Sequence, residues 1–285
     1  MAKNYLLCTS RGSSRNGSKQ GLFIDELMAE DNLLDNPLLK TLHKSGQKLD
    51  LLIDQLEKMH ILKGRPMGAT AYFLAGYVDI TYMDLDKNYS IYNSVTGYSW
   101  QGRYEEVHFL DNVEEAVAKA TVRYQEADRR VRSLGIRPCF ATVPPSVLAD
   151  WNNFRLSSGR TAFLLHEPHY HDMQSLLNRS CQGINSIIVS INRSNGMATP
   201  FIAGTIMDTK SNKMGHKLEP RVFRRKYFDG VHATDTTLKE WAKVMAKAIN
   251  INDKKRVGAL PWLSRDFSQS HHPSDDSDSS DEVPS

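Results

Sequence analysis

The sequence predicts an α/β fold, a three-layer α/β/α sandwich around a mainly parallel, five-stranded sheet in flavodoxin-like order. Short apolar runs alternate with segments of helical periodicity along most of the 285 residues. The most informative unit is a helix over 112–134, which lies between an apolar run at 71–81 and another at 136–143. A helix that joins two strands in this way is a crossover, and crossovers connect parallel strands.

The N-terminal half of the chain predicts three strands. Each is a short apolar run bounded by turn residues, and they occupy residues 5–8, 38–42 and 71–81. The segment that begins with Ser45-Gly46-Gln47-Lys48-Leu49 continues as an amphipathic helix. Residues 82–110 are polar and aromatic, which predicts a long loop over the carboxyl edge of the sheet.

The C-terminal half predicts three helices and two strands. The helix over 112–134 has Asp111 as its cap, Glu114 at the position of a capping box, and Gly135 as a left-handed stop. The remaining elements are a strand at 136–143, a helix over about 173–193, a last strand at 199–207, and a final helix from its cap Thr234 to about Ile249.

Composition divides the chain into a folded domain, residues 1–250, and a disordered, acidic, serine-rich tail, residues 251–285. Residues 266–285 contain six acidic residues and no Lys or Arg, so the remainder carries a formal net charge of +9. A basic body is compatible with an anionic substrate or with nucleic acid, although no recognised nucleic-acid motif accompanies it. No apolar stretch reaches the roughly 18 residues of a membrane span.

The cysteines and the first residues predict an intracellular protein, cytoplasmic or nuclear, rather than a secreted one. Cys8, Cys139 and Cys181 are too few and too scattered for a disulfide framework. The N-terminus lacks the basic start and long apolar core of a secretory signal.

Two segments at opposite ends of the chain predict a nucleophilic site. Asp229-Gly230-Val231-His232 lets a carboxylate hold one imidazole nitrogen and leaves the other free to take a proton from a hydroxyl. Ser10 is the first serine after the first strand, at the edge where parallel sheets bind ligands. Ser13 and Ser14 compete for the same role, and a Ser/Gly-rich turn also explains this segment.

Taken in order, four segments resemble the SGNH (GDSL-type) hydrolases, over roughly residues 5–249. These segments contain Ser10, Gly46, Gly76-x-x-Asp79 and Asp229-x-x-His232. More narrowly, the chain is similar to divergent SGNH-like proteins of animal mobile elements and related viruses. Their Ser-Gly-x-x-Leu, Ala-Gly-x-x-Asp-Ile-Thr and Asp-Gly-x-His-x-Thr-x-x-Leu-x-x-x-Trp blocks read here as Ser45–Leu49, Ala75–Thr81 and Asp229–Trp241.

The resemblance implies a serine esterase that hydrolyses O-acyl or O-acetyl esters of small molecules or glycans, without a metal or organic cofactor. It implies Ser10 as nucleophile, His232 as base and Asp229 as the residue that orients the base. The backbone N–H groups of Ser10 and Gly46 would be the oxyanion donors. The candidate substrate-binding residues are Gly76 and Asp79 from the motif, and Arg224 and Arg225 from a basic cluster that could steer an anion or simply be solvated.

Two departures from the family pattern leave an alternative open. Cys8-Thr9 stands where the family has Gly-Asp before the nucleophile, and Val78 stands where it has the asparagine that supplies a third oxyanion donor. Losing one such donor costs about 10²–10³ in rate. The alternative function is therefore a catalytically degenerate binding or assembly protein of a mobile element or virus. A residue of the 82–110 segment could also replace the missing donor.

Three histidines, His166, His169 and His171, lie within six residues, close enough in sequence to ligate zinc. No further metal-binding motif accompanies them. We therefore expect a surface loop or part of a lid over the substrate rather than a metal site.

Overall fold

The computed structural model describes residues 4–9, 39–43, 48–62, 68–75, 92–98, 104–109, 113–157, 167–208, 221–222 and 224–258. The strands are β1 (Asn4–Cys8), β2 (Leu39–His43), β3 (Thr70–Leu74), β4 (Tyr92–Tyr98), β5 (Tyr104–Phe109), β6 (Arg137–Phe140), β7 (Met207–Asp208) and β8 (Arg221–Val222). The α-helices are α1 (Leu49–Leu62), α2 (Val113–Ser133), α3 (Leu148–Ser157), α4 (Glu167–Ser194) and α5 (Asp235–Gly258).

Four strands form a parallel sheet in the order β2-β1-β3-β6. Tyr5 pairs with Ala71 on one side of β1 and with Lys40 on the other, and Phe73 of β3 pairs with Phe140 of β6. This is the order of the first four strands in a flavodoxin-like sheet. The α/β class and the parallel sheet are therefore confirmed, as is the second strand predicted at 38–42.

Both faces of the central strands are covered by apolar side chains. Tyr5 and Leu7 belong to one buried cluster with residues of α1, α2 and α4, whereas Leu6 and Cys8 belong to a second cluster with residues of α5. Since successive side chains of a strand point to opposite faces, the strands read as continuous apolar runs.

The crossover helix is confirmed almost residue for residue. α2 spans Val113–Ser133, and Gly135 follows with a φ of +74°, the left-handed conformation expected of a glycine stop. α4 begins at Glu167, earlier than the predicted start near 173. His169 and His171 therefore lie in the first turns of a helix rather than in a loop, whereas His166 lies outside the described residues.

The prediction of a last strand at 199–207 is wrong. Residues 197–202 have no regular secondary structure, Ala203–Thr205 is a 3-10 helix, and Met207 begins a two-residue antiparallel strand. The segment still lies beside β6, because the Thr142 N–H donates to the Pro200 carbonyl at 3.0 Å. Pro200 has no N–H to return, which interrupts a regular ladder.

Side-chain amides of α4 satisfy the edge of β6 and its extension in place of a strand. Asn192 accepts the Phe140 N–H at 2.9 Å and donates to the Phe140 carbonyl at 2.7 Å. Asn185 does the same for Val143, at 2.6 and 2.9 Å. Each amide thus supplies both the donor and the acceptor that a neighbouring strand would offer.

Two further elements differ from the sequence-based expectation. The 82–110 segment contains an antiparallel pair, β4 and β5, rather than a long loop throughout. Its Tyr, Val, Thr and Phe content is typical of strands. α5 continues to Gly258 instead of ending near Ile249, because the buried Asn252 accepts the Ala198 N–H at 2.6 Å and donates to the Ala198 carbonyl. The rest of the predicted tail, residues 259–285, lies outside the described residues.

We predict that Asn192→Ala lowers the free energy of unfolding by about 2–3 kcal/mol, because it leaves two buried backbone groups of Phe140 without partners. Urea denaturation measures the change. The matched control is Asn153→Ala, the same substitution at an exposed helical position of α3. Equal effects of the two substitutions would show that the Phe140 contacts contribute nothing specific.

Candidate active site

The structure brings Asp229 and His232 together, as their spacing predicts. Asp229 Oδ2 lies 2.6 Å from His232 Nδ1, while Oδ1 accepts the backbone N–H groups of Val231 at 2.9 Å and His232 at 2.7 Å. The Asp229 side chain is 2% exposed and the His232 side chain 27%. Since Asp229 occupies Nδ1, Nε2 is the ring nitrogen that can exchange a proton with a substrate or nucleophile.

The carboxyl of Asp229 is held ionised by its hydrogen bonds. Burial raises the pKa of this carboxyl. The opposing effect is larger and comes from hydrogen bonds to the His232 ring and to two backbone N–H groups, and from the His232 charge. The net pKa of Asp229 is therefore below its ordinary value. A carboxylate that remains charged can fix the imidazole and stabilise its protonated form.

Backbone pairing shapes the loop that carries this pair. Tyr227 and Ala233 form an isolated antiparallel bridge, and the Phe228 N–H donates to the His232 carbonyl at 2.8 Å. The Tyr227 hydroxyl donates to the Pro145 carbonyl. Thr234 then caps α5, as predicted, by accepting the Thr237 N–H at 3.3 Å. The loop is therefore fixed at both ends and tied to the segment after β6.

Gly230 holds the loop against the start of α3. Its φ is +89°, and its carbonyl accepts the Val147 N–H at 2.7 Å. A Cβ at this position would lie 2.4 Å from the Val147 carbonyl oxygen and 2.6 Å from the Trp151 nitrogen. Only glycine fits such a conformation at such an approach.

α3 is the element of the site that sequence reasoning missed. Its helical periodicity is weak, but Pro144-Pro145-Ser146 before it and Asp150 in its first turn are helix-start signals. It contributes an aromatic row beside the imidazole. The Trp151 and His232 rings meet edge to face with their centroids 6.1 Å apart, and Trp151 stacks on Phe154 with a centroid separation of 5.9 Å. Phe154 in turn contacts Phe228 at 5.6 Å. This row limits the orientations open to the imidazole.

The two predicted arginines, Arg224 and Arg225, are both exposed. Arg224 forms an ion pair with Asp150, with its Nε 3.0 Å from Oδ2 and a second N–H on Oδ1, and these contacts raise the pKa of its guanidinium. It therefore joins the first turn of α3 to the segment before the loop. Steering of an anion by Arg225 stays a prediction.

The other predicted site residues, Ser10, Gly46, Gly76 and Asp79, lie outside the described residues, as does Val78. Thr9, immediately before Ser10, is buried, and its N–H donates to the Leu74 carbonyl at 3.1 Å. The carboxyl ends of β1, β3 and β6 share one edge because the strands are parallel. The Asp229–His232 loop is bonded to Val147, which follows the carboxyl end of β6.

In the part of the chain that the structure describes, no group of three or more His, Cys, Asp or Glu side chains could hold a metal ion.

Among the described helices, none is both long and apolar enough to cross a membrane.

The α/β fold is like that of solved GDSL-type hydrolases. It is similar to a member of the lipolytic protein G-D-S-L family from Veillonella parvula DSM 2008, with a TM-score of 0.52, 9% identity, and coverage of 88% of this chain and 99% of that one. It is also similar to the lipase/acylhydrolase from Enterococcus faecalis, with a TM-score of 0.50, 10% identity, and coverage of 88% and 97%. The sequence matches no family model and no curated protein.

We predict that Gly230→Ala destabilises the protein by more than the roughly 1 kcal/mol that a positive φ alone costs an alanine, because backbone atoms of Val147 and Trp151 occupy the space of the new methyl group. Gly196→Ala is the matched control, since Gly196 has a φ of +69° and open space around it. Urea denaturation compares the two variants. A loss at Gly230 no larger than that at Gly196 would contradict the close contact.

The depressed pKa of Asp229 predicts a pH-dependent stability. The carboxylate contributes stability above its unfolded pKa of about 3.9, and this contribution is lost as the pH falls through the lower folded value. The difference in unfolding free energy between the wild-type protein and Asp229→Asn should therefore reach its full size above about pH 5 and shrink as the pH falls below about 4. Urea denaturation from pH 3 to 7 measures it. A difference in unfolding free energy that grows toward low pH would contradict the lowered pKa of Asp229.

Proposed function

We propose that the protein is an SGNH-like serine esterase that hydrolyses O-acyl or O-acetyl esters. The observation that carries this proposal is the Asp229–His232 pair, in which a buried carboxylate holds Nδ1 of a partly exposed imidazole. The pair belongs to a loop fixed by backbone hydrogen bonds near the carboxyl edge of the sheet. Such a pair is the base and orienting acid of a nucleophilic triad.

In the proposed reaction, the Ser10 hydroxyl attacks the ester carbonyl carbon while His232 Nε2 takes its proton. The backbone N–H groups of Ser10 and Gly46 receive the oxyanion. The C–O bond to the alcohol then breaks, and the alcohol leaves with the proton from His232. Water, deprotonated by His232, hydrolyses the acyl-serine and returns the enzyme to its starting state. Asp229 keeps the ring oriented and offsets its positive charge in both steps.

The substrate class we propose is a small-molecule or glycan ester. The aromatic row of Trp151, Phe154 and Phe228 beside His232 supports it, because half-buried aromatic rings pack against apolar acyl groups and against the faces of sugar rings. Arg225, together with Gly76 and Asp79 of the third-strand motif, would make the polar contacts to the substrate.

We also propose the three-layer arrangement of the fold, in which the irregular segment 197–202 lies beside β6, where the predicted fifth strand would have been. The hydrogen bond from Thr142 to Pro200 supports this placement, as do the two buried clusters on opposite faces of β1. Free thiols at Cys8, Cys139 and Cys181 support an intracellular location.

The proposed origin among mobile-element or viral relatives rests on the Asp229–Trp241 block. In this block Asp229 and His232 form the candidate site, whereas Leu238 and Trp241 are fully buried. Trp241 also donates its ring N–H to Thr205 Oγ1 at 2.9 Å. The block therefore encodes an active-site loop and the helix that anchors it as one unit.

The alternative function is a binding or assembly protein that has lost catalysis, and the residues before Ser10 favour considering it. Cys8 and Thr9 are buried, and burial raises the pKa of the Cys8 thiol well above its ordinary value. Cys8 is therefore a core residue and no substitute nucleophile. If Ser10 does not react, the described residues offer no cysteine near the loop in its place, since Cys139 and Cys181 are buried as well.

We expect a fluorophosphonate probe to label the wild-type protein at Ser10. Labelling should be lost in Ser10→Ala and retained in the matched controls Ser13→Ala and Ser14→Ala. His232→Ala should reduce turnover of an acetyl ester reporter by about 10³-fold or more, since a triad without its base keeps only a small part of its rate. Mass spectrometry of the labelled peptide identifies the serine.

Labelling that persists in Ser10→Ala would rule out the assigned nucleophile. A folded wild-type protein with neither labelling nor ester turnover would contradict the esterase proposal and favour the binding or assembly alternative.

A further inference from the structure

The exposed face of α5 carries a row of like charges, which we call the lysine stripe: Lys239, Lys243, Lys247 and Lys254. All four residues are exposed. At 100° per residue they fall within an arc of about 80°, and they extend roughly 22 Å along the helix axis. The stripe is therefore straight and narrow.

The arc of the lysine stripe contains no acidic residue. Acids at its borders have other contacts: Glu240 pairs with Lys226 at 2.6 Å, and Asp253 accepts from Asn4 at 3.3 Å. Asp235 stands at the helix N-terminus, where a negative charge is favourable. Among the described residues, no ion pair joins Lys243, Lys247 or Lys254 to an acid.

Another surface helix of the same protein is built differently. On α2, acids and bases alternate and form ion pairs within single turns, such as Arg129–Glu126 at 2.6 Å and Lys119–Glu115. Such pairs stabilise a helix by about 0.2–0.5 kcal/mol each, whereas like charges four residues apart destabilise it by similar amounts. Lys239, Lys243 and Lys247 are spaced by four. Helix stability therefore does not explain the stripe.

The opposite face of α5 is already occupied by the core. Leu238, Trp241, Met245 and Ile249 are fully buried. The helix therefore has no free apolar face to insert into a bilayer, which an interfacial membrane helix requires. The helix backbone is already ordered by folding, so the four lysines are held at fixed spacing along one face.

We propose that the lysine stripe binds the phosphate backbone of a nucleic acid without reading its sequence. Lysine ammonium groups are compact charges suited to phosphates. A straight row of basic residues matches a linear polyanion better than it matches a small ligand or a flat membrane surface. The formal charge of +9 on residues 1–265 adds a long-range attraction of the same sign.

The stripe begins one helical turn after the cap Thr234 and faces solvent, so it is separate from the Asp229–His232 pair. Binding through the stripe and ester hydrolysis can therefore be measured independently. The stripe variant, with all four lysines changed to glutamine, should retain the ester turnover and probe labelling of the wild-type protein.

Fluorescence anisotropy of the full chain with labelled 20-nucleotide single-stranded RNA, single-stranded DNA and duplex DNA tests the proposal. The stripe variant should bind about 10-fold or more weakly at 0.1 M salt. The slope of log Kd against log salt should fall by about 2–3, at about 0.7 per lost contact with a single strand. The matched control changes four exposed basic residues of α2 and α4 to glutamine: Lys119, Arg129, Arg179 and Arg193. Its affinity for the nucleic acids should fall by less than about 3-fold.

Several results would overturn the proposal. One is equal loss in the stripe and control variants, which would mean that net charge alone is responsible. Another is binding of the wild-type protein to phosphatidylserine vesicles but to none of the nucleic acids. The last is no detectable binding, or binding that does not weaken with salt, in wild-type protein whose circular dichroism shows it to be folded.

Discussion

The hydrogen bond from the Val147 N–H to the Gly230 carbonyl is the contact on which the candidate site depends. It joins the loop that carries Asp229 and His232 to the segment that leaves β6, so the position of the imidazole is set by the sheet rather than by the loop alone. The same contact brings α3 close enough for Trp151 to pack on the His232 ring. A site built on rigid elements holds its geometry better than one built on a free loop.

Side-chain amides extend this frame where regular strands end. Asn192 and Asn185 satisfy the exposed edge of β6 and its extension from α4, and Asn252 satisfies Ala198 from α5. Gln174 of α4 accepts the Leu148 N–H at 2.9 Å at the start of α3. An unpaired backbone group in the core lowers the free energy of unfolding by about 1–3 kcal/mol. These amides therefore fix α4 and α5 relative to the sheet, and α5 is the helix that follows the site.

Local signals in the sequence predicted much of this structure. Each of these signals involves residues that are close in sequence, and each is observed in the structure. They are the glycine stop at Gly135, the cap at Thr234, and the three-residue spacing of Asp229 and His232. The failures involve distant partners. Pro200 and the amides of α4 replace a strand, and Asn252 prolongs a helix through a contact with Ala198. α3 has weak apolar periodicity, and the contact of its first turn with Gly230 joins segments that are distant in sequence.

The close approach at Gly230 also bears on how this lineage can diverge. Two stretches far apart in sequence, 147–151 and 229–232, occupy adjoining space with no room for one methyl group between them. A larger residue in one stretch requires the backbone of the other to move, so substitutions in the two stretches depend on each other. A sequence pattern that requires both stretches is therefore more specific for this packing than a pattern that requires either one alone.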